Sequence, residues 1–243
     1  MPLKTDALII REYTVGEADR FVTALTRDRG VVRASARGAH KLKSRNATAT
    51  SLLTYSRLTL TEGRDKYIIT EAAPLRVFFD RKNDIYALSL AQYFCELAGV
   101  FAPRDEPAEE ALRQLLNALH LLAAGDRDRR QIKAVTELRL LCQAGYMPAL
   151  AGCARCGKPD GGLWLSPVDG TLRCDGCGRA PDSLAVSDSV LAAMRYIVTA
   201  PLEKVFGFTL PDAAMEELAS ACERLLLCQS NHHFKTLDFY HTL

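Results

Sequence analysis

The chain has 243 residues, of which 48% are hydrophobic and 25% charged, and its net charge is only +2. That is ordinary globular composition with ample length for a buried core. No apolar run approaches the roughly 18 residues that a membrane-spanning helix needs, and no internal repeat or low-complexity segment is present.

The N-terminus, MPLKTDALIIREY, has a short apolar patch broken by Arg11 and Glu12, which is not the pattern of a signal peptide, so a cytoplasmic protein is expected. Residues 1–80 then read as β. Short β-branched or aromatic runs cover Ala7–Tyr13, Arg20–Thr26, Gly30–Arg37, Ser56–Thr61 and Lys66–Glu71. Asp28-Arg29-Gly30 and Glu62-Gly63-Arg64 separate neighbours at hairpin length. Five short strands with a longer segment after the third predict a small barrel of the oligonucleotide-binding (OB) type, with a small open sandwich as the competing shape.

From about residue 81 the period becomes helical. Ile85, Leu88, Gln92, Leu97 and Phe101 trace one face, and Leu112, Leu115, Leu116, Leu119 and Leu122 form a second stripe ended by Gly125. Asp105 and Pro107 are the expected cap and first turn of that second helix. Ile132, Val135, Leu138 and Cys142 form a third stripe; Val190, Met194, Ile197 and Val198 a fourth; Leu218, Cys222, Leu225 and Leu226 a fifth, with Thr209 as its expected cap. The fold class is therefore α+β and multidomain: residues 1–80 as a barrel, and 81–243 as a mostly helical domain.

Eight cysteines in a reducing compartment argue against disulfides. Cys95, Cys142, Cys222 and Cys228 fall in apolar helical patterns and read as small core residues. Cys153-Ala154-Arg155-Cys156 and Cys174-Asp175-Gly176-Cys177 differ: they are two C-x2-C knuckles with 17 residues between them, the spacing of a zinc ribbon. Two knuckles supply the four sulfurs of a tetrahedron at about 2.3 Å from the metal. Four thiolates leave no open position, so one structural Zn2+ per chain is expected, in a module at about 150–182 over which Trp164 and Leu165 pack. A zinc deaminase is excluded, because no Glu stands two residues after a ligand in the required pattern. Gly152-x4-Gly157-Lys158 imitates the start of a phosphate-binding loop, but Pro159 stands where a Ser or Thr must meet magnesium. His232-His233 has no carboxylate or nucleophile at a telling spacing. No catalytic set and no cofactor-binding motif emerges, so the chain is not expected to be an enzyme.

The charge is uneven. Residues 1–80 carry 14 Lys and Arg against 9 Asp and Glu. Between 27 and 45 the basic residues Arg27, Arg29, Arg33, Arg37, Lys41, Lys43 and Arg45 meet only Asp28. Such a local field in a near-neutral chain points to a polyanion surface, with Arg11 and Arg20 as neighbours. The aromatics of the strands and their loops are few: Tyr13, Phe21, Tyr55 and Tyr67. Binding governed by phosphate contacts rather than base stacking is therefore expected. Arg127, Arg129, Arg130 and Lys133 form a second candidate basic patch for an acidic peptide.

The stretch ALIIREYTVGEADRFVTALTRDRGVVRASARGAHKLKSR resembles the N-terminal domain of the bacterial recombination mediators of the RecO family. Gly16-Glu17-Ala18-Asp19, Thr26 to Gly30 and Arg37-Gly38-Ala39 carry the likeness. GCARCGK and LRCDGC resemble the zinc module of many members, and HFKTLDFY resembles the family's closing segment. The resemblance implies an OB domain, a helical body with an inserted four-cysteine zinc knuckle, binding of single- and double-stranded DNA and annealing of complementary strands. It further implies work with RecR in loading RecA onto DNA covered by single-strand-binding protein, whose acidic C-terminal tail is a further partner, and a cytoplasmic, nucleoid-associated location. Composition and spacing alone leave two other classes open: an RNA-binding or ribosome-associated zinc protein, and a protein-interaction adaptor.

Overall fold

The structure is a computed structural model that describes residues 2–15, 19–39, 46–64, 66–79 and 84–243. Five strands open it: β1 Leu3–Val15, β2 Asp19–Thr26, β3 Gly30–Ala36, β4 Thr54–Glu62 and β5 Tyr67–Val77. They close in the order β1-β2-β3-β5-β4, with all neighbours antiparallel except β3 and β5. This is the five-stranded barrel of the OB fold. Alternation supplies its interior: Ala7 and Ile9, Val22 and Ala24, Val32, Ala34 and Ala36, Leu58 and Leu60, and Ile69 meet in one core cluster. Many of these residues are small, which lets the strands of a narrow barrel approach one another.

The β2–β3 turn is stitched by Thr26, whose hydroxyl donates to the Gly30 carbonyl at 2.9 Å and accepts from the Arg29 N–H at 3.0 Å. Gly30 has φ +59°, and a Cβ there would lie 2.0 Å from the Pro103 carbonyl oxygen, so only glycine fits. The next residue, Val31, donates its N–H to that same carbonyl at 2.8 Å.

The helices are α1 Ile85–Phe101, α2 Glu109–Ala124, α3 Arg129–Gln143, α4 Asp188–Thr199, α5 Asp212–Ser230 and α6 Lys235–His241. They do not gather into one body. One compact unit is Met1–Gly125 with Phe234–Leu243; the other is Asp126–His233. The change of period near residue 80 and the division into compact units thus fall at different places along the chain. In the first unit, α6 returns to α1: the Glu96 carboxylate accepts the Thr236 N–H at 3.1 Å, and the Phe234 ring stands edge-on to Tyr93 with centroids 5.8 Å apart.

The α1 stripe has a different phase from the one the sequence suggests. Ile85 is exposed and Gln92 half-buried, while Ala87, Leu90, Ala91, Phe94, Cys95, Leu97 and Ala98 are buried. Packing against β1, α2 and α6 covers α1 on several sides, so no single stripe describes it. Two expected caps also differ. The Asp84 side chain caps α1 by accepting from Ala87 N–H at 3.0 Å, but α2 begins after Ala108 and α5 after Pro211, neither with a side-chain cap. Asp105, Pro107 and Thr209 lie too far ahead of those starts to serve.

The second unit holds α3, α4, α5 and a four-stranded sheet of β6 Ala149–Cys153, β7 Leu163–Ser166, β8 Thr171–Cys174 and β9 Leu184–Val186, in the order β6-β8-β7-β9. Helix α3 packs on α5 around a buried ion set. The Lys133 ammonium, 5% exposed, lies 2.7 Å from Glu137 and 2.6 Å from Glu223. Burial opposes its charge, but the two carboxylates outweigh burial and hold it protonated, above its ordinary range. Cys95 and Cys222 are buried and Cys142 half-buried, but Cys228 is exposed. It falls off the Leu218–Cys222–Leu225 stripe of α5, six residues beyond Cys222, where the helix has turned outward.

Candidate metal centre and nucleic-acid surface

The Sγ atoms of Cys153, Cys156, Cys174 and Cys177 lie within 4.8 Å of one another, and this is the group that can hold a metal ion among the described residues. Cys156 and Cys174 Sγ are 3.7 Å apart. A tetrahedron with sulfurs at about 2.3 Å from its centre has edges of about 3.8 Å, so the cluster fits a tetrahedral thiophilic cation. The two knuckles make this possible locally. Cys153 ends β6 and Cys174 ends β8, and Gly157 and Gly178 take φ of +75° and +83° after the second cysteine of each pair.

Without a cation the four thiols conflict. Backbone N–H groups of Cys156, Cys174 and Arg155 bring Cys153 down to about 6, while its neighbours Cys156 and Cys174 push Cys177 up to about 12. A divalent cation removes that conflict by favouring thiolate at every position.

Trp164 and Leu165 do not pack over the cluster as a pair. They point to opposite faces of β7, and it is Leu163, opposite Cys174, that shares the buried face of that ligand. Trp164 instead holds the second knuckle from outside. Its indole N–H donates to Asp175 Oδ1 at 3.1 Å, and the Arg179 guanidinium lies 3.5 Å over its ring while also bonding Asp175. Arg155 Nη1 reaches the Cys177 carbonyl at 3.0 Å and ties one knuckle to the other. Sequence reasoning missed Arg195 on α4, which donates to the carbonyls of Leu150, Ala151 and Pro159 and pairs with Asp160. That fork clasps β6 and the first knuckle, through contacts too distant in sequence to leave a local signal.

The candidate basic residues of the barrel that the structure describes separate into four groups. Arg27 and Arg29 sit at the β2–β3 turn, where Arg27 pairs with Asp28 at 3.3 Å. Arg37 lies at the opposite end of β3, exposed, beyond Ala36. A seven-residue strand at about 3.4 Å per step puts about 20 Å between the two ends, so Arg27 and Arg29 do not share one patch with Arg37. Lys41, Lys43 and Arg45 lie outside the described residues. Arg20 points inward, opposite Ala36 of the core. Its guanidinium, 12% exposed, donates to the Ala47 carbonyl, Thr50 Oγ1 and Ser51 Oγ and pairs with Glu12 at 3.1 Å. It is spent on holding the chain at 46–51.

Arg11 and Arg33 are different. A bulge between Ile9 and Arg11 displaces the pleat, so Ile9 faces Ala24 in the core while Arg11 faces Thr23. Thr23 in turn faces Arg33, the single exposed residue of β3. Arg11, Thr23 and Arg33 thus form a row across three strands on the outer face, and neither arginine has an ion pair among the described residues. The next row on that face is Tyr13, Phe21 and Ser35, with the two rings stacked at 5.5 Å.

The candidate patch on α3 is largely consumed. Arg127 donates to the Phe206 carbonyl at 2.7 Å, Arg130 pairs with Asp128, Asp212 and Glu216, and Lys133 is buried in its ion set. His232 and His233 are exposed and belong to no metal-ligand group among the described residues.

Residues 1–78 match the family "Recombination protein O N terminal" and residues 82–238 match "Recombination protein O C terminal". The chain belongs to the RecO family. DNA repair protein RecO of Acetivibrio thermocellus is 30% identical over 243 residues, which cover 99% of this chain and 97% of that one. The RecO of Symbiobacterium thermophilum is 30% identical over 98% of this chain and 96% of its own. The RecO of Roseiflexus sp. is 38% identical over 204 residues, 82% of this chain and 71% of its own.

RecO-like segments of the sequence also have structural roles. Asp19 accepts the Gly38 N–H at 2.8 Å, and Ala39 lies in the barrel core, so Asp19 of the GEAD stretch meets the RGA stretch at one barrel end. Gly16, Glu17 and Ala18 are outside the described residues. Phe234 of HFKTLDFY is the ring that docks α6 on α1.

Proposed function

We propose that the barrel, residues 1–80, is the nucleic-acid-binding domain of a DNA repair and recombination mediator, and that the chain binds single- and double-stranded DNA and anneals complementary strands. In this reading Arg11, Arg33 and Arg37 contact the phosphate backbone directly, and Lys41, Lys43 and Arg45 extend the track. Arg27 and Arg29 are at the far end, and Arg20 shapes the surface without touching DNA. Residues 81–243 carry one structural Zn2+ on Cys153, Cys156, Cys174 and Cys177 and supply surfaces for protein partners. Work with RecR, the acidic tail of single-strand-binding protein and, through them, RecA belongs to the same reading, as do a cytoplasmic, nucleoid-associated location and the lack of catalysis.

The observation that carries it is the outward row Arg11–Thr23–Arg33 on a closed five-stranded barrel in a RecO-family chain. Two guanidinium groups with no carboxylate partner among the described residues hold their counter-ions loosely, and a phosphate backbone releases condensed cations when it replaces those ions. The test is the salt dependence of DNA binding by the Arg11→Ala/Arg33→Ala/Arg37→Ala variant. Three lost contacts should flatten the log–log slope by up to about 2.7 on duplex and about 2.1 on single strands, with annealing falling in step. An unchanged slope would move the DNA site elsewhere. Preference for RNA over DNA of equal length would favour the RNA-binding alternative.

A further inference from the structure

The outer face of the barrel carries an aromatic pair beside its cations. Tyr13 is 50% exposed and stacks on Phe21, with ring centroids 5.5 Å apart and planes 15° from parallel. Cross-strand register enforces the pairing, since Tyr13 of β1 stands directly opposite Phe21 of β2. Lys66 places its ammonium 3.7 Å from the centroid of the Phe21 ring. Arg11 is two residues from Tyr13 on the same face, about 6.8 Å along the strand, and Arg33 lies in the adjoining row.

An exposed tyrosine stacked on a half-buried phenylalanine, bordered by arginines with no ion pair among the described residues, has the ingredients of a nucleobase site: a flat apolar surface for the ring and positive charge for its phosphate. A half-exposed tyrosine gains little for folding, because much of its ring stays in water. What it offers is a π-face already held parallel to a second ring.

We propose that Tyr13 and Phe21, with Lys66, form a stacking platform for an unpaired base, giving this face a preference for single-stranded DNA over duplex. The proposal rests on the barrel face being the DNA surface. Arg11 and Arg33, both in the adjoining row, take the phosphates next to the stacked base. Duplex can reach the same arginines, but its bases are already stacked on one another and cannot use the platform. The phosphate-dominated binding expected from the scarcity of aromatics is thereby amended: two of the four aromatics are brought to one spot, and one spot suffices to register a base.

The experiment uses the full-length protein and three oligonucleotide ligands: a single-stranded oligothymidylate, the same strand made abasic, and duplex of equal length. Wild type should bind the abasic strand about tenfold or more weakly than the intact strand. Tyr13→Ala should lose that discrimination, binding both strands as wild type binds the abasic one, while its duplex affinity and salt slope stay unchanged. Tyr13→Phe, which keeps the ring, should restore it. Equal binding of intact and abasic strands by wild type, a result that needs no variant to fold, overturns the platform. So does a Tyr13→Ala protein that discriminates as wild type does. If in either case the arginine variant still flattens the salt slope, the DNA surface stands and only the platform falls; if that slope is also unchanged, the surface itself was misplaced.

Discussion

Two arginines of the same barrel illustrate how one residue type performs opposite tasks. Arg20 faces inward and satisfies Ala47, Thr50 and Ser51, whereas Arg33 stands alone on an otherwise buried strand. Arg20→Ala should therefore cost about 2 kcal/mol of stability, because hydrogen bonds to a charged group are lost and their acceptors stay part-buried. Arg33→Ala should leave stability within about 0.5 kcal/mol of wild type and act on DNA binding alone. Chemical denaturation of the two variants side by side, with binding measured on the same preparations, checks the contrast. Equal destabilisation by both would contradict the assignment of one to folding and the other to ligand.

Between elements, the α3–α5 contact depends on the Lys133 ion set rather than on apolar packing alone. Removing the lysine takes from Glu137, which is fully buried, and from Glu223 the ammonium that both contact. Lys133→Met should cost about 3–5 kcal/mol near neutral pH. Its pH dependence has a definite sign. The folded state raises the lysine above its ordinary value, so its contribution is complete below the unfolded value near 10.4 and is lost as pH climbs through the folded one. From neutral pH upward, the difference between wild type and variant should hold until strong alkali and narrow there. Urea unfolding followed by Trp164, the sole tryptophan and a member of the same compact unit, reads this directly. A gap that stayed the same in strong alkali would refute it.

For the whole molecule, the four cysteines proposed to hold zinc and the barrel belong to different compact units. Loss of metal should therefore act on one and spare the other. Cys156→Ser should reduce zinc from one per chain to none by elemental analysis and lower the temperature of the Trp164 transition, because the knuckles lose the cation that orders them. The salt slope of DNA binding should not move. A metal-free variant that melts like wild type would mean that the clasp of Arg195 on β6 and the first knuckle is sufficient to hold the module.

What the amino-acid sequence determined by itself is whatever depends on neighbours. The four-cysteine set was legible because each knuckle presents two ligands within four residues, and metal geometry leaves few alternatives to that spacing. The five strands were legible because one buried face imposes a period of two, and Gly125 marked the end of α2 by the left-handed turn it takes there. Tertiary structure decided everything that depends on a distant partner. The bulge after Ile9, which no alternation pattern announces, turned Arg11 outward. Register brought Tyr13 onto Phe21 and laid Arg33 in one row with Arg11 across Thr23, while the length of β3 carried Arg27 and Arg37 to opposite ends of one strand. Arg127, Arg130 and Lys133 look like a patch in sequence but find acceptors more than seventy positions away. A charge is visible in a sequence; whether it is free for a ligand depends on the carbonyls and carboxylates that folding brings to it.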